Sequence, residues 1–243
     1  MTRAIRRCAS PPGAAHVATE TYTVAMNRPT LVIGNRNYSS WSLRPWVFMR
    51  HHGIDFEERR LSLYTDAGKA EIRALSPTGL VPLLIDGALR IWDSLAILEY
   101  LAERHPQAQG WPEDVRARAI ARAVSAEMHS GFRSLRKSLP MNVRRITAAR
   151  KWHAEVQADI DRVVAIWQDC RGRFGDAGPF LFGRFTIADA MYAPVVWRFA
   201  TYSVPLPAAA EAYAGAMHAL PAMQAWREAA HAEGEPVPEY DEA

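Results

Sequence analysis

The chain has 243 residues, 49% hydrophobic and 23% charged, a balance that supports one large or two modest domains and excludes a chain that is disordered throughout. Its net charge is +3, and Arg3, Arg6 and Arg7 against Glu20 supply +2 of it within residues 1–25, so the remainder carries no general attraction for nucleic acid or anionic membrane. No run of about eighteen apolar residues is present to form a membrane span, and the two distant cysteines, Cys8 and Cys170, suggest no disulfide framework and fit a reducing, cytoplasmic setting.

Residues 1–28 read as a flexible extension. They are acid-poor, hold Pro11-Pro12-Gly13 and lack the apolar stretch of a secretory signal; Met26 is an alternative start. Leu31-Val32-Ile33, ending at Gly34, predicts a buried strand. Residues 41–52 carry apolar side chains at 43, 46, 47 and 48 and are followed by Gly53, the pattern of a helix with a left-handed C′ residue. Residues 56–63 predict a second strand, parallel to the first across that helix. A short helix is expected at 69–75. Asp86-Gly87 between Leu83-Leu84-Ile85 and Leu89-Arg90-Ile91 predicts a hairpin, and Leu95, Leu98 and Leu101 fall at helical spacing.

The order βαβ then ββα is that of a thioredoxin-like domain, placed at residues 29–106. A linker at 107–111 and an all-helical domain at 112–230 follow, with a tail at 231–243. One predicted buried stripe joins Trp152, Val156, Ile160, Val163 and Trp167; another joins Val115, Ala119, Ala123, Val124, Met128 and Phe132. Thr186-Ile187-Ala188-Asp189 reads as a capping box.

Three signals in the first half point to chemistry. Ser39-Ser40-Trp41-Ser42-Leu43-Arg44 sets hydroxyls at a helix N-terminus, where free backbone N–H groups and the helix dipole favour an anion such as a thiolate. Gly79-Leu80-Val81-Pro82 is a bend that presents a backbone edge. Asp93-Ser94 opens a helix with a carboxylate and a hydroxyl, suited either to capping or to a ligand's ammonium and carboxylate ends. Plain capping is likewise the competing reading of Ser39, Ser40 and Ser42. Arg44 either serves the site electrostatically or locks its helix with a salt bridge.

Metal and phosphate sites find no support: His51 and His52 are adjacent and so share no helical face, and no glycine-rich phosphate loop occurs. Arg133, Arg136, Lys137, Arg144, Arg145, Arg150 and Lys151 follow one another with no acid between them. A solvated face, or a rim attracting anionic substrates, is favoured over a nucleic-acid surface, because aromatic residues are sparse there and no nucleic-acid motif is present.

The order and spacing of these motifs resemble the cytosolic glutathione transferases across residues 29–230. The serine segment is similar to the zeta class, which has Ser-Ser-Cys-Ser-Trp-Arg and includes maleylacetoacetate isomerases; this chain departs from it at Trp41 and Leu43. The resemblance implies glutathione as cosubstrate, no metal, a small-molecule electrophile and a homodimer. It implies Ser39, or Ser40 in its place, as the hydroxyl bonding the glutathione sulfur, with Arg44 in support. It further implies a cis Val81-Pro82 bond beside Leu80 that turns the Val81 backbone to the cysteinyl unit, Asp93 and Ser94 on the γ-glutamyl end, and Lys69 reaching the glycyl carboxylate. The electrophile is expected between the domains, near residues 128–141 and Trp197. Glutathione binding without turnover is the alternative function.

Overall fold

The computed structural model describes residues 28–237 and 241, so the extension expected at 1–28 lies, apart from Arg28, outside the described residues. Four strands form one sheet in the order β2-β1-β3-β4. β1 (Thr30–Ile33) runs parallel to β2 (Glu57–Arg60) and antiparallel to β3 (Leu83–Asp86), which turns through Gly87 into antiparallel β4 (Leu89–Trp92). Three helices cover the sheet: α1 (Ser40–His51), α2 (Asp66–Leu75) and α3 (Ser94–Arg104). A single 3-10 turn at Pro106–Ala108 leads to α4 (Val115–Ser130), α5 (Arg133–Ser138), α6 (Ala154–Phe174), α7 (Ile187–Thr201), α8 (Ala208–Ala219) and α9 (Pro221–Ala232).

Side-chain alternation in β1 sets the layers. Leu31 and Ile33 face α1 and join a core continuous with the helical half, whereas Val32 faces the other way and packs with Leu61, Ile72 and Leu83. β2 is shorter than the predicted 56–63. Its Glu-Glu-Arg-Arg sequence suits an edge strand, and charged side chains there blunt pairing with other chains. α2 begins three residues earlier than expected because Thr65 accepts a bond from the Gly68 N–H at 3.1 Å. Gly53 takes φ +64°, as its place after α1 predicted.

α4 differs from its predicted stripe. Its buried face is Ala117, Ala121, Val124, Ser125 and Met128, and Val115, Ala119 and Ala123 are exposed. Both faces are rich in alanine, so packing against α7 rather than local pattern fixes the register. Trp152 precedes α6 and is half-buried against Tyr202.

Thr186 and Asp189 form the expected capping box. Asp189 accepts from the Thr186 N–H at 2.8 Å and from the Thr186 hydroxyl at 3.1 Å, so the hydroxyl also donates to the carboxylate. The other oxygen accepts from the Leu181 N–H at 3.0 Å. Burial raises the Asp189 pKa from 3.8 to about 6, against the lowering pull of those N–H groups. Asp189→Ala strands two buried N–H groups and is expected to cost about 2–6 kcal/mol in urea unfolding. A folded pKa above the unfolded value stabilises fully below pH 3.8, and that stabilisation fades as pH rises to about 6. The stability gap between the parent and Asp189→Asn should therefore widen in the parent's favour as pH falls from 6 to 4; a narrowing gap would contradict it.

Candidate active site at the domain cleft

Between the β1–α1 loop, α2, the 79–81 bend and the segment around α5 lies a cleft of about 470 Å³. An adjoining recess of about 430 Å³ runs beneath the bend to the start of α3, and Trp41, Leu80 and Val81 line both. Of the residues singled out in the sequence, Ser39, Ser40 and Lys69 line the cleft, while Pro82, Asp93 and Ser94 line the recess. Arg44 lies behind the wall, buried.

Ser39 is the N-cap residue of α1 by position, yet its side chain makes no capping bond. Its hydroxyl instead sits 2.7 Å from the Ser42 hydroxyl, which accepts the Gly34 N–H at 3.1 Å. Ser42 is wholly buried, whereas Ser39 and Ser40 reach the cleft wall. A backbone donor at the end of β1 is thereby linked through one hydroxyl to another at a helix N-terminus.

The Val81-Pro82 peptide is cis. Leu80 projects into solvent at 67% exposure, Val81 is half-buried, and Gly79 holds φ +66° at the start of the bend, a conformation glycine adopts without penalty. Asp93 has φ +74°, a left-handed value uncommon for a residue with a Cβ. One of its oxygens caps α3 through the Leu95 and Ala96 N–H groups at 2.9 and 3.2 Å. The other lies 2.6 Å from Nε2 of His129, on α4. Capping and a wider role thus coexist at Asp93.

Arg44 donates to the Ser94 hydroxyl at 3.2 Å and its guanidinium lies 4.1 Å from the centre of the Trp41 ring. No salt bridge locks it among the described residues, and its Nε has no acceptor. Burial first, then Arg136 and Arg198, lower its pKa to about 9 against the opposing pull of Asp93 and Tyr192, which leaves the charge in place at neutral pH.

Lys69, Arg73, Arg136 and Arg198 line the cleft, and among the described residues no Asp or Glu does. Arg198 is fixed by the carbonyls of Arg136, at 3.2 Å, and Leu139. Arg136 donates to the His129 carbonyl at 3.2 Å and faces Trp41. The basic run of the sequence is dispersed: Arg136 enters the cleft, Arg144 reaches the Tyr38 hydroxyl, and Arg150 covers Trp152. Trp197, expected near the electrophile, faces a separate pocket on the other side of α7. His51 and His52 pack on Phe185, and burial lowers His52 to about 4.

Sequence reasoning missed His129 and Arg198, and it named Trp41 only as a departure. A lone histidine or arginine in a helix carries no local signal; interdomain packing brings each to the site.

The N-terminal half, residues 38–104, matches the family described as glutathione S-transferase, N-terminal domain, and residues 150–229 match glutathione S-transferase, C-terminal domain; together they cover more than half of the chain. The chain belongs to the glutathione S-transferase family. It is 36% identical over 111 residues to maleylacetoacetate isomerase of Rattus norvegicus, covering 44% of this chain and 50% of the relative. To glutathione S-transferase zeta class of Euphorbia esula it is 31% identical over 117 residues, 48% of this chain and 52% of the relative. The chain spans about half the length of the curated relatives it matches. Among solved structures, a glutathione transferase homolog from Burkholderia gl BGR1 with bound glutathione is 25% identical, with a TM-score of 0.64 over 86% of this chain and all of that one.

A buried cation whose charged form is disfavoured by its surroundings contributes little to stability. Arg44→Met should leave the unfolding free energy within about 1 kcal/mol of the parent; a loss above about 3 kcal/mol in urea titration would make Arg44 a structural residue.

Proposed function

We propose that the chain is a glutathione transferase that activates the glutathione thiol for attack on a small electrophile, by conjugation or glutathione-dependent isomerisation. The observation that carries this reading is the linked pair Ser42–Ser39, fed by the Gly34 N–H and ending at the N-terminus of α1 on a cation-lined cleft. With Ser42 donating to Ser39, the Ser39 proton is free to point at a ligand sulfur. The hydroxyl and the helix N-terminus then both favour the thiolate, which lowers a thiol pKa from its usual value near 8.5. Ser39 is a stabiliser here and glutathione supplies the nucleophile. Ser40, one residue into the helix, is the alternative donor.

The rest of the ligand follows the recess. The Val81 backbone would pair with the cysteinyl unit, Asp93 would take the γ-glutamyl ammonium, and Ser94, already accepting from Arg44, keeps its own proton for the α-carboxylate. Lys69 on the opposite rim suits the glycyl carboxylate. Arg136 and Arg198, with no acid in the lining among the described residues, favour an electrophile that itself carries a carboxylate. The isomerase named among the relatives is one such reaction, and Trp41 stands where the zeta pattern has cysteine. A homodimer is part of the reading, with Leu89, Trp92 and Val115 supplying exposed apolar surface.

Ser39→Ala should leave glutathione affinity nearly intact, shift thiolate absorbance near 240 nm to higher pH, and cut turnover about 10- to 1,000-fold. Ser42→Ala, which removes the upstream donor, should give a smaller change in the same direction. If Ser40→Ala alone moves the thiol titration, the role belongs to Ser40. If none of the three does, glutathione is bound without activation. Asp93→Ala and Ser94→Ala should each weaken glutathione binding by about 1–3 kcal/mol in calorimetry. For a matched pair of electrophiles, acid and amide, the acid should have the lower KM, and Arg136→Ala should close the gap.

A further inference from the structure

Behind the cleft, on the far side of α7, a pocket of about 370 Å³ is lined by Arg145, Ile146, Trp197, His218, Arg227 and His231 among others, with no acidic residue in its wall among the described residues. It shares no lining residue with the cleft or the recess. Consecutive residues of α7 part company here, Arg198 turning to the cleft and Trp197 to this pocket, as the 100° step of a helix requires.

Two arginines stand at this pocket, Arg145 half-buried and Arg227 exposed, and two of the pocket's buried donor atoms lack a partner. Arg145 and Arg227 form no ion pair among the described residues. Nη1 of Arg145 is buried without an acceptor, and so is Nε1 of Trp197, a side chain only 5% exposed. Buried donors without partners are rare in folded proteins, and a bound ligand is one way they are met. Arg144, which also reaches the pocket, is committed elsewhere, to the Glu233 carbonyl and the Tyr38 hydroxyl.

The remaining lining combines aromatic and aliphatic side chains with Thr201 and His231. The His218 ring stands edge-on to Trp197 at 4.5 Å, and burial beside Arg227 lowers its pKa to about 4, so it presents a neutral ring at physiological pH. Ile146, 82% exposed, stands at the pocket with Val143 and Ala200. Cationic donors on one side and aromatic and aliphatic surface on the other fit an anion with an apolar body, and the volume lies within the range of small-molecule sites.

We propose that this pocket is a second binding site, independent of the glutathione cleft, for a small aromatic carboxylate, whose ring lies against Trp197 and His218 and whose carboxylate is held by Arg145 and Arg227. The chemistry is that of a charge-assisted pair on an aromatic wall.

Isothermal titration of 2-naphthoate into the full chain tests it. Binding is expected with Kd below about 1 mM, and 2-naphthamide, the same ring without the charge, should bind about 10-fold or more weakly. Arg145→Gln and Arg227→Gln should each weaken 2-naphthoate about 10-fold while the glutathione affinity of both variants, titrated separately, stays that of the parent. Saturating glutathione should not displace 2-naphthoate. The proposal is overturned if 2-naphthoate gives no binding up to that concentration, if the amide binds as well as the acid, or if both arginine variants bind it like the parent. It is equally overturned if glutathione displaces it and Arg136→Ala abolishes it, which would place the anion in the cleft. Melting curves of the two variants, whose exchanged side chains form no ion pair, show whether each is folded; should one unfold, the other and the amide decide.

Discussion

The burial of α1 between the sheet and the helical half is the constraint on which the cleft depends. Leu43, Val47, Phe48 and Met49 are wholly buried, and the helix packs on α7, α3 and α9 at once. A helix held on every side has a fixed N-terminus, and that terminus carries the serines. The polar loop before it, residues 35–38, is held with equal care. Asn37 pairs with Asn142 at 2.8 Å and accepts from the Arg144 N–H at 2.9 Å; the Arg36 carbonyl accepts from Trp226 at 2.9 Å. Hydroxyl placement within a fraction of an ångström is what transition-state stabilisation needs, and rigid elements supply it better than free loops do.

Electrostatics works against this packing rather than with it. Arg44, Arg136 and Arg198 gather around one side of the cleft, and Arg44 is buried with an unpartnered Nε and a lowered pKa. A structure selected for stability alone would not collect three cations where, among the described residues, Asp93 opposes Arg44 and Asp159 opposes Arg136. Local rules broken in this manner cluster where a ligand is to be met. Trp41 moderates the conflict by presenting its ring to both Arg44 and Arg136 and its edge to His129, and it also forms the wall shared by cleft and recess.

What was legible in the sequence is what short-range chemistry determines. The Asp86-Gly87 turn, the apolar β1 and the Gly53 stop each announce themselves within a few residues, and so do Ser39, Val81, Asp93 and Ser94, which sit at element boundaries. α4 did not, because Ala117 and Ala121 on its buried face look no different from Ala119 and Ala123 on its exposed one. Nor did the partner of Asp93, since His129 lies 36 positions away on α4. Arg198 and Trp197 are neighbours in sequence and serve different cavities, a distinction that only the helix's orientation makes.

The stretch after α9 returns to the first domain. Glu233 holds Arg36 through its backbone N–H at 2.8 Å and its guanidinium at 3.0 Å, and Glu235 holds Asn35 at 2.6 Å, Arg60 at 3.2 Å and Ser62. Asp241 receives the Tyr38 hydroxyl at 2.9 Å. These pairs join residues 173 to 203 positions apart. During synthesis the ribosome delivers the sheet and α1 long before the carboxylates that fasten the loop beside them. The loop that leads into Ser39 is therefore fastened only once the segment from Glu233 to Asp241, about 200 positions further on, has been translated.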